Sequence, residues 1–155
     1  MECLAVMLLF ASMADLQDAE LPGFMHLSNQ ALEALEGRLG PKIDQNNVAT
    51  ERLGNFGNHS LMAVHRRGDG EAELHESQAD TFIMKSGEAT LVVGGAVLDG
   101  RTTGVGEVRG RAISGGEMKS LSPGDIVHIP AKMPHQVLVA PGKQVTYVIV
   151  KVDVK

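Results

Sequence analysis

Glu73-Leu74-His75-Glu76-Ser77-Gln78-Ala79-Asp80, followed after six residues by Gly87, and Gly124-x5-Pro130-x4-His135 further on, decide how this chain is read. Strand side chains alternate between two faces. Glu73 and His75 therefore share a face, and so do Asp80, Phe82 and Met84. A carboxylate on the face of Phe82 and Met84 is buried, which is costly unless a cation or hydrogen-bond donors compensate. A metal ion is one compensator; backbone N–H groups or an arginine such as Arg66 are others. His135 shares parity with Val137 and Val139 in the same way. The expected interior is lined by Phe82, Met84, Val137 and Val139, with Asp80 and His135 at its polar end. If the imidazoles and carboxylates converge there, the chain holds a metal. If they do not, His75 and His135 are ordinary pocket histidines.

Around these segments the chain reads as short strands, over residues 60–66, 71–75, 81–85, 89–93, 96–98, 126–129, 135–139 and 144–152. Gly and Pro punctuate them at residues 67–70, 86–88, 94–95, 123–124 and 141–142. Turn signals at this spacing predict an all-β sandwich or barrel. No βαβ rhythm and no internal repeat competes with that reading. The glycine-rich stretch 99–116 is expected to be a hairpin rather than a mobile lid. Upstream, Ser28 is a good N-cap, Leu32, Leu35 and Leu39 recur at helical spacing, and Gly40-Pro41 is a stop. One amphipathic helix over residues 28–39 is expected, outside the main body. The expected organisation is a leader at 1–14, an N-terminal segment at 15–58 carrying the helix, and the barrel at 59–155.

Composition narrows the function classes. A chain of 155 residues with 43% hydrophobic residues is one domain's worth and not a disordered polymer. Aromatics are 3%, Trp is absent and the net charge is −5, so neither a stacking platform nor a basic face for nucleic acid is expected. A small molecule or another protein is the expected partner. Cys3 is the only cysteine, which rules out an intrachain disulfide and a cysteine zinc site. The apolar run at 4–10 is too short to span a bilayer. Followed by Ser12 and Ala14, it resembles a signal peptide, although Glu2 stands where a basic region is usual. Cleavage after Ala14 would make the protein periplasmic or secreted; without it a cytoplasmic location is expected. Neither a P-loop nor a Gly-x-Ser-x-Gly elbow is present.

The two motifs together resemble those of the cupins, small mostly antiparallel β-barrels of jelly-roll type. Members commonly show Gly-x5-His-x-His-x3–4-Glu-x6-Gly and, downstream, Gly-x5-Pro-x-Gly-x2-His-x3-Asn. The resemblance covers about residues 60–150 and departs at four positions. Glu73 stands for the first histidine, Asp80 for the glutamate, Lys132 for the internal glycine and Val139 for the asparagine. It implies a site of Glu73, His75, Asp80 and His135 around a divalent metal. Two carboxylates would offset the ion's charge, and an oxygen-rich set suits manganese, iron or zinc rather than copper(I). It further implies a homodimer and a metal-dependent oxygenase, isomerase or lyase acting on a small organic molecule. Glu73 would be a ligand or the general base. A binding barrel without turnover, or a metal-free structural barrel, are the competing readings. Other polar residues rank below these. His59 or His65 would reach the pocket mouth or merely pack, and Lys132 and Gln136, flanking His135, would meet an anionic ligand.

Overall fold

Residues 21–154 are described by the structure, a computed structural model. The expected leader at 1–14, with Cys3, lies outside the described residues. Among the described residues thirteen strands form the body. They are β1 (Val48–Asn55), β2 (His59–Arg66), β3 (Ala72–His75), β4 (Gln78–Gly87), β5 (Ala89–Val93), β6 (Ala96–Leu98), β7 (Arg101–Gly104), β8 (Glu107–Gly110), β9 (Ala112–Ser114), β10 (Glu117–Leu121), β11 (Ile126–Ile129), β12 (His135–Leu138) and β13 (Val145–Asp153). One sheet has the order β1-β2-β13-β4-β11, the other β10-β5-β12-β3-β8-β7, and β6 pairs with β9. All pairings are antiparallel, as the all-β expectation requires.

The longest pairings run along β13, whose β-branched and aromatic run Val145-Thr146-Tyr147-Val148-Ile149-Val150 suits a pleated, half-buried surface. Alternate residues of β13 serve two cores. Tyr147 and Ile149 point between the sheets, where Val64, Phe82, Met84, Leu91, Ile129, Val137 and Val139 meet them. Val148 points outward and packs with Ala49, Ala63, Leu35 and Leu39.

That second core corrects the helix expectation. Residues 28–39 form two short helices, α1 (Asn29–Glu33) and α2 (Leu35–Leu39), parted at Ala34. Ser28 does cap the first, its Oγ accepting from Ala31 N at 3.1 Å. Neither helix stands apart from the body. Leu35 and Leu39 are buried on the outer face of the first sheet, and Glu36 accepts hydrogen bonds from Ser86, at 2.7 Å, and from Gln144. Helices this short depend on tertiary packing; α2 is packed, while α1 buries no residue. The sheet also begins earlier than residue 59, because β1 pairs with β2 from Ser60 to Arg66. A register shift between Arg52 and Gly54 and an irregular pattern of burial hide that strand's alternation.

The glycine-rich stretch is ordered as the β7–β8 hairpin followed by β9, and β8 pairs with β3. Two turns carry positive φ with different chemistry. Gly87, at φ +74°, is confined to glycine because a Cβ there would collide with the Gln144 carbonyl. Lys132, at φ +66°, adopts the left-handed conformation at the position where the cupin motif has glycine. Its N–H donates to the His75 carbonyl at 2.7 Å, which ties the β11–β12 turn to β3.

Candidate metal centre

Strand register assembles the site. Glu73 on β3 lies directly opposite His135 on β12 on one side and Arg109 on β8 on the other. His75 lies opposite Glu107 of β8. Asp80 on β4 lies opposite Lys151 of β13 and Ile129 of β11. Side chains directly opposite on one face are close enough to interact, so a few register positions fix most of the polar contacts.

Glu73, His75 and His135 bring one ligand atom each to within 4.8 Å of one another. His75 Nε2 is 3.4 Å from Glu73 Oε2 and 3.4 Å from Asp80 Oδ2. His135 Nε2 is 3.8 Å from both of those oxygens. An ion bound at about 2.1 Å in tetrahedral or octahedral geometry holds neighbouring ligand atoms about 3.0–3.4 Å apart. The spacings match that requirement at His75 and are slightly wider at His135. His135 Nε2 is a buried nitrogen with no hydrogen-bond partner, whereas its Nδ1 lies 3.1 Å from the Met133 carbonyl. The Nδ1–H donates there, which leaves the Nε2 lone pair facing Glu73 and Asp80. His75 Nδ1 is held by the Glu107 carboxylate at 2.8–2.9 Å. A carboxylate or carbonyl behind each imidazole is the arrangement that orients histidine ligands in metal sites. The residues fit a divalent cation.

Electrostatics keep both carboxylates ionised. Burial pushes the Glu73 pKa up, but the His75 hydrogen bond and the nearby Arg109 and His135 bring it down to about 2. Burial also opposes ionisation of Asp80, and His75 and Lys151 again outweigh it. Burial lowers the His135 pKa, against the Met133 carbonyl and the Glu73 and Asp80 carboxylates, which raise it. At His75 burial pulls downward, but Asp80 and Glu73 raise the pKa to about 9, against the pull of the Lys151 ammonium.

Lys151 is the residue that motif reading missed. Its Nζ lies 2.8 and 2.9 Å from the two Asp80 oxygens and 3.1 Å from His75 Nε2. The Asp80 carboxylate is thus compensated by a lysine. Arg66, the arginine considered for that task, instead donates from Nε to Tyr147 Oη at 3.0 Å. Glu107 and Arg109 were missed as well, inside the glycine-rich stretch. Gln136 is buried and donates to the Gly70 carbonyl at 2.8 Å, while Lys132 is exposed. His59 stacks on Phe56, and His65 is buried against Thr146 at 2.9 Å. His128 meets Thr81 on the outer face.

A cavity of about 170 Å³ adjoins Glu73, His135 and Lys151. Its apolar wall includes Met62, Val64, Phe82, Val137 and Ile149, and Arg66 and Arg109 also line it.

No protein-family model matches the sequence, and no curated protein matches it. Solved structures do. KdgF from Halomonas sp. is 15% identical with a TM-score of 0.52, over 70% of this chain and 81% of that one. A cupin-like protein from Thermotoga maritima is 16% identical with a TM-score of 0.50, over 68% of each chain. A recombinant oxalate oxidase in complex with glycolate is 13% identical with a TM-score of 0.51, over 71% of this chain and 53% of that one. With this antiparallel two-sheet topology and these neighbours, the described residues have the cupin fold. Among the described residues no helix is long and apolar enough to cross a membrane.

Proposed function

We propose that this cupin-fold protein binds a divalent metal ion through Glu73, His75, Asp80 and His135 and acts on a small organic molecule seated in the adjoining cavity. The observation that carries this reading is the convergence of Glu73, His75 and His135 on one point, with His135 Nε2 buried and unpartnered. Manganese, iron and zinc all suit two imidazoles with two carboxylates. Such an ion supplies Lewis acidity toward a substrate carbonyl or hydroxyl. The protein's own groups prepare for it. Glu107 and the Met133 carbonyl hold the imidazoles in register, and Phe82 and Ile149 form part of the apolar wall of the adjoining cavity. Glu73 is read as a ligand, its carboxyl kept ionised against burial by the His75 hydrogen bond and the Arg109 and His135 charges. The oxalate oxidase with glycolate supports the small-molecule reading, since the same fold there carries an oxidase and holds a small ligand.

Lys151 favours a second reading, a metal-free barrel in which the ammonium compensates Asp80 permanently. Elemental analysis of untagged protein purified without chelator separates the two. About one equivalent of a transition metal per chain is expected, with a large loss in His135→Ala, since removing one ligand weakens the site. Less than about a tenth of an equivalent, even after reloading with manganese, iron and zinc in turn, would favour the lysine-only barrel.

A further inference from the structure

We infer that the substrate is a small organic carboxylate held by Arg66 and Arg109, an inference that rests on the reading of the cavity as a substrate site. Three cationic side chains, Arg66, Arg109 and Lys151, line one small cavity in a chain whose net charge is −5. All three are largely shielded, with side-chain exposures of 13%, 23% and 17%. Each guanidinium is already anchored at one end. Arg66 donates from Nε to Tyr147, and Arg109 pairs through Nη1 with Glu107 at 3.1 Å. What they face across the cavity is less well satisfied. Arg66 Nη2 lies 4.0 Å from Glu73 Oε1, and Arg109 Nη2 lies 3.7 Å from Glu73 Oε2, both beyond hydrogen-bond distance. Two oriented guanidinium forks therefore flank the mouth of the site without closing on the carboxylate between them.

Charge balance points the same way. With His75 neutral, as a ligand must be, the three cations are matched by three carboxylates, Glu73, Asp80 and Glu107. Glu71, at the cavity rim, is taken by Arg101 at 2.7 Å. A divalent ion held by Glu73 and Asp80 would leave the enclosed site two charges positive, and uncompensated charge in a shielded site is costly. An anionic ligand removes that cost. Guanidinium groups match a planar carboxylate in a way an ammonium does not. The cavity, smaller than the usual pocket for a drug-sized molecule, limits the rest of the ligand to a few carbons against Met62, Val64, Phe82 and Ile149.

Titration calorimetry tests this with glycolate, lactate, pyruvate and 2-oxobutyrate, each beside its uncharged primary amide, and with inorganic phosphate as a separate arm. At least one acid is expected to bind metal-loaded protein about tenfold or more tighter than its amide, the scale of a charge-assisted hydrogen bond. Arg66→Gln and Arg109→Gln should each weaken that acid about tenfold and its amide by clearly less, so that the preference for acid over amide shrinks. If the glutamine variants do not fold, Arg66→Lys, which keeps the charge and loses the fork, should still weaken the acid. Equal binding of acids and amides, no binding of any acid, phosphate binding tighter than every acid, or full acid affinity in the arginine variants would each overturn the inference. Metal content is measured on the same samples. Arginine-dependent acid binding without metal uptake would sink the metal assignment alone; metal uptake with indifference to ligand charge would sink this inference alone.

Discussion

Asp80 is buried and ionised, and an unpaired carboxylate in that position costs several kcal/mol. Lys151 removes the cost in the structure, so an incoming metal ion must compete with an ammonium for Asp80 and with a proton for His75 Nε2. Lys151→Met should raise metal affinity while destabilising the chelator-treated protein by about 3–5 kcal/mol, the range for breaking a buried ion pair. The rise in melting temperature on metal addition should then be larger in the variant than in wild type; a smaller rise would mean that Lys151 assists the metal. The second competition has a pH signature. The folded pKa of His75, about 9, stands above its ordinary value of 6.5. Its stabilising contribution is therefore fully present below pH 6.5 and is lost as pH rises through 9. Melting of chelated protein should fall over that window by a contribution on the order of 3 kcal/mol at most, and metal uptake should strengthen over it. A flat profile would show that His75 is neutral throughout. Parity in the sequence identified Asp80 and His135 because each shares a face with apolar neighbours, and the motif spacing added His75 beside Glu73. It missed Lys151 because β13 is apolar on both faces, Tyr147 inward and Val148 outward, so alternation there does not tell inside from outside.

At the scale of elements, β3 is the short strand on which the site hangs, with β12 on one side and β8 on the other. The hairpin that contains β8 was legible as a hairpin, but its partner strand was not, because pairing between β3 and β8 leaves no local mark. Glu107 and Arg109 came to light only through that register. The helix was legible from its cap and its leucine spacing, yet its place was not, since Leu35 and Leu39 could report burial but not the surface that buries them. The packing of α2 on the outer face lies away from the metal centre, and this separation is testable. Leu39→Ala should cost about 2–5 kcal/mol, as for other buried leucine truncations, with metal stoichiometry retained. A fall in stoichiometry in a folded Leu39→Ala protein would show that the outer core and the site are coupled.

For the whole molecule, the two motifs and the regular turns made the sandwich readable from the sequence, while its chemistry stayed underdetermined because one fold carries many functions. What the fold contributes is convergence: two sheets bring residues from β3, β4, β12 and β13 to one polar end of an apolar interior. The homodimer implied by resemblance remains a proposal, testable by light scattering on the full chain. The role proposed for this convergence is to hold a metal ion. Its most direct test is anomalous diffraction from crystals of the metal-loaded protein, recorded on both sides of the metal's absorption edge. A single peak is expected about 2.0–2.3 Å from Glu73 Oε2, His75 Nε2 and His135 Nε2, with the Lys151 ammonium withdrawn from Asp80. No peak at that point, with Lys151 still bound to Asp80, would contradict that role.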